Sequence, residues 1–446
     1  MPSGAVGSSC APPETATTLS NRQCQTVSLF YLLVAIMPLS DHHLLGMRLV
    51  GGITPFKLIG CACILYGIAH FLMRPTGPSF LEPSQSKLFL AFYLMAALSY
   101  CLTGRWEDIS LSPLMMLTSQ FLLLALTVAT VDSIRRLYRV LAATVAGIGL
   151  ASVYVMRGWL AAVREYGSLS NRPGGASGDS NYFALEVVIC LPIAYYLIVA
   201  ERVLWRKWCF LGCAGAGLVA VMLASSRGGL LGMAASSAYI VWCSRRRFRN
   251  FVILGLLLLP PLVIVPSSPL WRLLRPNYGD DVGQTARQTV WKAGFRMIWK
   301  YPLTGVGLGG FKGNVLKFEE PDENVVSIAH NTYIEIAAEL GIPGLIVFVL
   351  MLGCSYRSLG VVRKRALHSG QRLLQAAASG LQASVVGAAV GIVFLSATSE
   401  KLLWLTIGLS MCMTSLVRVR KERGLAMPTT PELAEARRNA TAGGDL

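Results

Sequence analysis

Tyr182-Phe-Ala-Leu-Glu-Val-Val-Ile-Cys-Leu-Pro-Ile-Ala-Tyr-Tyr-Leu-Ile-Val-Ala200 holds one charged side chain, Glu186, in an otherwise apolar run. About 20 such residues, coiled as a helix, cross the hydrocarbon of a bilayer. Runs of the same kind recur at 26–40, 53–73, 87–102, 109–131, 138–156, 208–225, 228–243, 251–268, 333–356, 376–398 and 402–417. With 182–200 they make about twelve candidate spans. Of 446 residues, 54% are hydrophobic and 14% charged, against about 45–50% and about 25% in a soluble domain. The expected fold is therefore all-α, a polytopic membrane bundle of about twelve transmembrane helices. Its interior supplies a core without a separate soluble domain.

The spans divide the chain. Residues 1–25, rich in Ser, Thr, Pro and Ala with a lone Arg22, lack a basic start and cleavage site and are expected to be a disordered cytoplasmic tail. Spans one to nine occupy 26–268, an external loop 269–332, spans ten to twelve 333–417, and a second cytoplasmic tail 418–446. The net charge of +17 raises the question of nucleic acid, but its placement excludes that partner. Arg135-Arg136, Arg202/Arg206/Lys207, Arg245-Arg246-Arg247/Arg249, Arg363-Lys364-Arg365 and Arg418/Arg420/Lys421/Arg423 all fall on the side of the termini. The positive-inside rule makes that side cytoplasmic, so most of the basicity sets topology. The eleven cysteines lie in spans or in the N-terminal tail, so a disulfide framework is not expected. Cys61, Cys63, Cys209 and Cys213 have no neighbouring His or carboxylate to complete a metal site and are expected to pack as small apolar groups. There is no fixed-period repeat and no matched pair of interrupted helices, which argues against a transporter.

Three segments reach the outer face: 157–181, the tight Ser225-Ser226-Arg227-Gly228-Gly229 turn, and the loop 269–332. Within that loop Gln284–Lys300 has the pattern of an amphipathic helix. Val290, Trp291, Phe295 and Ile298 are expected to supply its apolar contacts. Lys292, Arg296 and Lys300 recur at i, i+4 and i+8 and are expected to meet lipid headgroups, with Arg287 turned inward. Tyr301-Pro302-Leu-Thr-Gly305 ends the helix. The acidic run Glu319-Glu320-Pro-Asp322-Glu323 then leads to His330.

Four groups from distant stretches share this face: Arg172, Arg227, Arg287 and His330. Arg227 sits at the tip of two spans with no loop to carry it into water, so it must snorkel, pair or bind an anion. His330 stands at a helix entry beside Asn331, a capping candidate. Tyr333 follows it by one turn, while Glu339 falls about half a turn away on an ideal helix. The glycines of Gly305–Gly310 have no surrounding βαβ unit, so they are no dinucleotide loop. Asp280-Asp281 is read as a solvated loop pair.

The ordered set Ser226-Arg227-Gly228, Arg287…Trp291…Pro302-Leu-Thr-Gly305-Val-Gly307 and His330-Asn331-x-Tyr333…Ala338-Glu339-x-Gly341-Ile-Pro343-Gly344 resembles the O-antigen ligase and polymerase superfamily. Arg172…Gly178-Asp179-x-Asn181 also fits, with Ser180 where the family usually has proline. The resemblance covers about 170–345 and implies a GT-C-like membrane glycosyltransferase in the bacterial inner membrane, with its site at the periplasmic face and both termini cytoplasmic. It implies an undecaprenyl-diphosphate-linked glycan as donor, and as acceptor the lipid A core (a ligase) or another glycan (an O-antigen or exopolysaccharide polymerase). Protein O-glycosylation is a more remote activity of such proteins.

The residues suit that chemistry. A diphosphate leaving group develops negative charge, which fixed guanidiniums stabilise. Arg227 and Arg287 are the expected donor ligands, with Arg172 in support and Asn181 also assigned to substrate binding. His330 is expected to orient or deprotonate the acceptor hydroxyl, supported by Tyr333 or Glu339. No cofactor is implied, and no acidic cluster suggests a metal, so transfer is expected to be metal-independent. A glycolipid transporter is the competing class: it would use the same arginines without breaking a bond.

Overall fold

The computed structural model describes residues 28–40, 45, 47, 54–73, 81–102, 111–166, 173–174, 178–244, 246–264, 281–319 and 327–422. The tail 1–25, most of the tail 418–446, Arg172, Asp280 and Glu320–Glu323 lie outside them. Every regular element among the described residues is helical. The first helices are α1 (Ser28–Leu39), α2 (Pro55–Met73), α3 (Ser84–Leu102), α4 (Ser112–Thr130), α5 (Ile134–Tyr166), α6 (Ser180–Ala200) and α7 (Leu204–Leu223). They are followed by α8 (Arg227–Cys243), α9 (Arg247–Ile264), α10 (Asp281–Lys300), α11 (Phe311–Phe318), α12 (Thr332–His368), α13 (Arg372–Gly391) and α14 (Lys401–Glu422).

Each expected span falls on a helix. Seven of these (α3 to α7, α12 and α13, the last with its 3₁₀ extension) are long and apolar enough to cross a membrane, and α1, α2 and α14 contain shorter apolar stretches. The boundaries differ most in three places. Helix α12 runs on from its expected end at 356 to His368. Helix α5 outruns its expected 138–156 and reaches Tyr166, its added turns exposing Arg157, Arg164 and Glu165. Those are polar residues that end a hydrocarbon crossing without ending a helix. The span expected over 376–398 stops at Gly391. A 3₁₀ turn, Ile392–Phe394, and an irregular stretch to Glu400 follow.

Helix α13 lies at the centre, against α6, α8 and α12. Its small residues explain why. A Cβ on Gly380 would stand 3.0 Å from the Ile193 backbone, and one on Gly387 2.9 Å from Val188. The Ser384 hydroxyl donates to Ile189 O at 2.5 Å and to Gly380 O at 2.9 Å. Close backbone approach through small residues drives packing in lipid, where apolar burial gives helices no reason to associate. Around α12 the packing is aromatic: Trp404, fully buried, meets Phe89 edge-on at 5.0 Å and also touches Phe92 and Phe348.

The two ends differ in chemistry. At one, Tyr138 donates to Glu201, Arg139 lies over Tyr31, and exposed Trp205 and Trp242 carry Arg206 and Arg247 over their rings. Aromatic and cationic side chains of this kind mark a membrane interface. The other end holds the N-termini of α6, α8 and α12 and the α10–α11 cap.

Helix α12 is broken at Gly341, whose φ of 71° and ψ of 179° are essentially closed to other residues. The turn after α10 docks into that break. Val306 N donates to Ala338 O at 2.8 Å, Gly307 N to Glu339 O at 3.1 Å, and Ile342 N to Pro302 O at 2.8 Å. A Cβ on Gly341 would lie 2.6 Å from the Leu303 backbone. Gly341→Ala should therefore cost roughly 1–3 kcal/mol, read as a lowered Tm of the purified protein. Gly353→Ala, on the same helix with no atom within 4 Å of its Cβ, should leave Tm unchanged or slightly raised. Equal Tm for both variants would count against the docked break.

Candidate active site

The site is assembled from five backbone pieces, each locked by its own side chains. Asp179 caps α6, its carboxylate accepting from Asn181 N at 2.7 Å. Ser180 is the first residue of the helix, a position where proline is favoured but not required. That is why the departure from the family pattern leaves the element intact. Ser226 caps α8, accepting from Gly229 N at 3.1 Å, and its hydroxyl donates to Asn181 Oδ1 at 2.9 Å. The starts of α6 and α8 are thereby tied together, with half-buried Arg227 as the first residue of α8. The two glycines after it are required by contact. A Cβ on Gly228 would stand 2.8 Å from Phe394 and one on Gly229 2.7 Å from Ala184.

Helix α10 begins with Asp281 and carries half-buried Arg287. Its packing face is Val290, Ala293, Gly294 and Met297, spaced i, i+3, i+4, i+7 as a helix requires. A Cβ on Gly294 would come within 2.6 Å of Ile334. Phe295, expected to supply an apolar contact, is exposed beside Lys292 and Arg296 and packs into no part of this face. The tight Gly294 approach places the next residue on the outer side. Trp291 is partly buried as expected, and its indole N–H donates to Ala329 O at 2.8 Å.

That bond holds the backbone just before His330. After it, Asn331 caps α12, accepting from Tyr333 N at 3.0 Å and Ile334 N at 3.1 Å. Fully buried Thr332 donates to Leu395 O at 2.6 Å and accepts from Ala397 N at 2.8 Å. Clamped on both sides, His330 adopts a φ of 48°. The only other positive-φ non-glycine among the described residues is Ser225, at 52°, two residues before Arg227. Such strain persists where surrounding structure over-determines it, and it concentrates at functional sites.

Helix α8 and α12 therefore meet through one segment, Gly228 against Phe394 and Thr332 on Leu395. A small cleft lined by Asn181, Ser226, Gly228, Gly229, Phe394 and Leu395 opens between the starts of α6 and α8 and that segment. His330 feels charges from two of the other pieces. Burial first, then the Arg287 guanidinium, hold its imidazole below the ordinary range, while Asp179 pulls the other way. Its Nδ1 is buried without a hydrogen-bond partner among the described residues.

Arg227, Arg287, His330 and Asn181 thus gather at one end of the bundle, and Arg172 lies outside the described residues. Tyr333 and Glu339 are engaged in packing. The Tyr333 hydroxyl donates to Ala389 O at 2.8 Å. The buried Glu339 carboxylate accepts from Phe311 N at 3.2 Å and so caps α11. Asp179 and the clamp at 395–397 were not assigned from sequence. The polar run Ser396-Ala-Thr-Ser-Glu400 inside an expected span end is the signal that could have found the clamp. Among the described residues no three His, Cys, Asp or Glu side chains gather as a metal site.

Residues 188–349 match the O-antigen ligase family, which bears out the superfamily resemblance of the motifs. The match takes in Arg227, Arg287 and His330 and begins after Asp179 and Asn181. No curated protein matches the chain.

If neutral His330 is the working form, its lowered pKa places the acid limb of kcat/KM against pH below the ordinary imidazole value of about 6.5. Asp179→Asn, which keeps a capping oxygen, removes the charge favouring imidazolium and should move the limb to lower pH. Arg287→Gln removes the opposing charge, and the limb of its residual activity should rise. Shifts in the reverse directions would contradict this electrostatic assignment.

Proposed function

We propose, from the match of residues 188–349 to the O-antigen ligase family, that the chain is a membrane glycosyltransferase of ligase type. It moves a glycan from an undecaprenyl-diphosphate carrier to an acceptor hydroxyl, that of the lipid A core. The GT-C-like bundle sits in the bacterial inner membrane with its site at the periplasmic face. Beyond that membrane there is no pool of nucleotide sugars, so the donor must arrive activated and lipid-borne.

The supporting observation is that Arg227, Arg287 and His330, from three separate segments, gather at one end of the bundle, with positive-φ backbone at His330 and two residues before Arg227. His330 accepts the proton of the acceptor hydroxyl as that oxygen attacks the anomeric carbon. The bond from that carbon to the diphosphate oxygen breaks, and its electron pair leaves on the diphosphate. Arg227 and Arg287 neutralise the growing charge as bidentate donors in a partly dry site. Arg172 and Asn181 assist donor binding. An activated diphosphate leaves without a general acid, so one base and two cations complete the chemistry.

Purified Arg287→Ala or His330→Ala, inserted normally, should lose on the order of 10²–10³ in transfer rate from a defined lipid-linked donor. Wild-type rates in either variant would remove that residue from the mechanism. A strain lacking the protein should accumulate lipid-linked glycan over bare core. Single repeat units in its place would assign the same site to a polymerase, and normal transfer with impaired movement of donor across the membrane would assign it to a transporter.

A further inference from the structure

The outer face of α10 and the turn that follows are unaccounted for by the transfer site. Trp299 is 85% and Leu303 73% exposed, and Phe295 is exposed beside them. The exposed charges of α10 from Gln288 onward, Lys292, Arg296 and Lys300, are all basic. In a chain whose site helices end at a membrane surface, the level of this face relative to the bilayer decides what covers it.

Helix α12 supplies the ruler. After Glu339 its first charged residue is Arg357. Counting back about 20 residues, one hydrocarbon thickness, reaches residue 337. Gly341 then lies about 6 Å inside the apolar slab. Pro302–Thr304 is hydrogen-bonded at that level through Ile342 N to Pro302 O and through Ser99 Oγ to Thr304 O at 3.2 Å. Below it Ile342, Ile346, Val349 and Leu350 form an exposed apolar stripe at i, i+4, i+7, i+8, the lipid face of α12, which Leu303 continues upward. Irregular backbone is tolerated at such depth only where protein satisfies it. Here the docking bonds at the α12 break, together with Gly305 N on Tyr301 O, do so.

We propose that Trp299 and the turn 301–305 form a re-entrant wedge in the bilayer leaflet nearest the site, with Lys292, Arg296 and Lys300 seated on anionic phospholipid headgroups. The wedge fixes α10 at headgroup height. On the transfer reading, that is the height at which Arg287 meets a lipid-borne diphosphate. The wedge itself does not depend on that reading and is measured without it.

The test is tryptophan fluorescence of the full chain in nanodiscs. The chain has nine tryptophans, so wild type is compared with Trp299→Phe. Lipids brominated at carbons 6 and 7 should quench wild type more than Trp299→Phe, whereas aqueous iodide should quench both equally. Leu303→Trp in the Trp299→Phe background should restore the lipid-quenched component. Brominated phosphatidylglycerol should quench Trp299 more than brominated phosphatidylcholine. That preference should vanish in a Lys292→Gln, Arg296→Gln, Lys300→Gln variant. If Trp299→Phe removes iodide-quenched emission and leaves lipid quenching unchanged, the wedge is overturned. Equal quenching of wild type by the two lipids would overturn the anionic seat. Neither outcome bears on whether the site transfers glycan.

Discussion

The unwound turn of α12 at Gly341 is the interaction on which the site end of this molecule depends. A continuous helix would have satisfied its own carbonyls. The broken one offers Ala338 O and Glu339 O to the turn 302–307 and takes a bond back from Ile342 N. Glu339 adds its carboxylate to the start of α11. These bonds attach the α10–α11 cap to a membrane helix with little freedom of height or angle. Arg287 and Trp291 ride on that cap, and Trp291 in turn holds the carbonyl before His330. His330 and Arg287 are thus positioned by a single docking event, in a region where unpaired backbone would be costly.

A second constraint closes the site from the other side. The stretch after α13 abandons helical geometry, and its polar backbone is taken up by side chains from four helices. Thr332 engages Leu395 and Ala397, Tyr182 donates to Ser396 O, Gln120 to Ser399 O, and Trp404 to Thr398 O. Arg227 opens α8 and His330 stands just before α12, and this stretch is what the starts of those two helices share. Positive φ at both Ser225 and His330 follows from being held at each end by bonds that no local relaxation can keep.

Much of this was legible in the sequence. Apolar runs gave the helices, Pro302 and the following glycines gave the end of α10, and Arg227, Arg287 and His330 stood out because topology brought them to one face. Two of the places where the reading diverged turn on which side of a helix meets a neighbour. Phe295 reads as an apolar contact of α10, and the residue that meets Ile334 is its neighbour Gly294. Glu339 reads as a support for His330, and the broken helix turns it onto Phe311 N. Residues 395–398 read as the end of a span because Leu395 and Ala397 are apolar; both are buried, though not in helix.

The account gives separate duties to the cations and the histidine, and direct binding of a lipid-linked diphosphate donor separates them. Titration of that donor onto purified wild type, Arg227→Gln, Arg287→Gln and His330→Ala measures it. Both arginine variants should lose donor affinity, while His330→Ala should bind donor as tightly as wild type and fail only in transfer. Unchanged affinity in the arginine variants, or lost donor affinity in His330→Ala, would contradict the assignment.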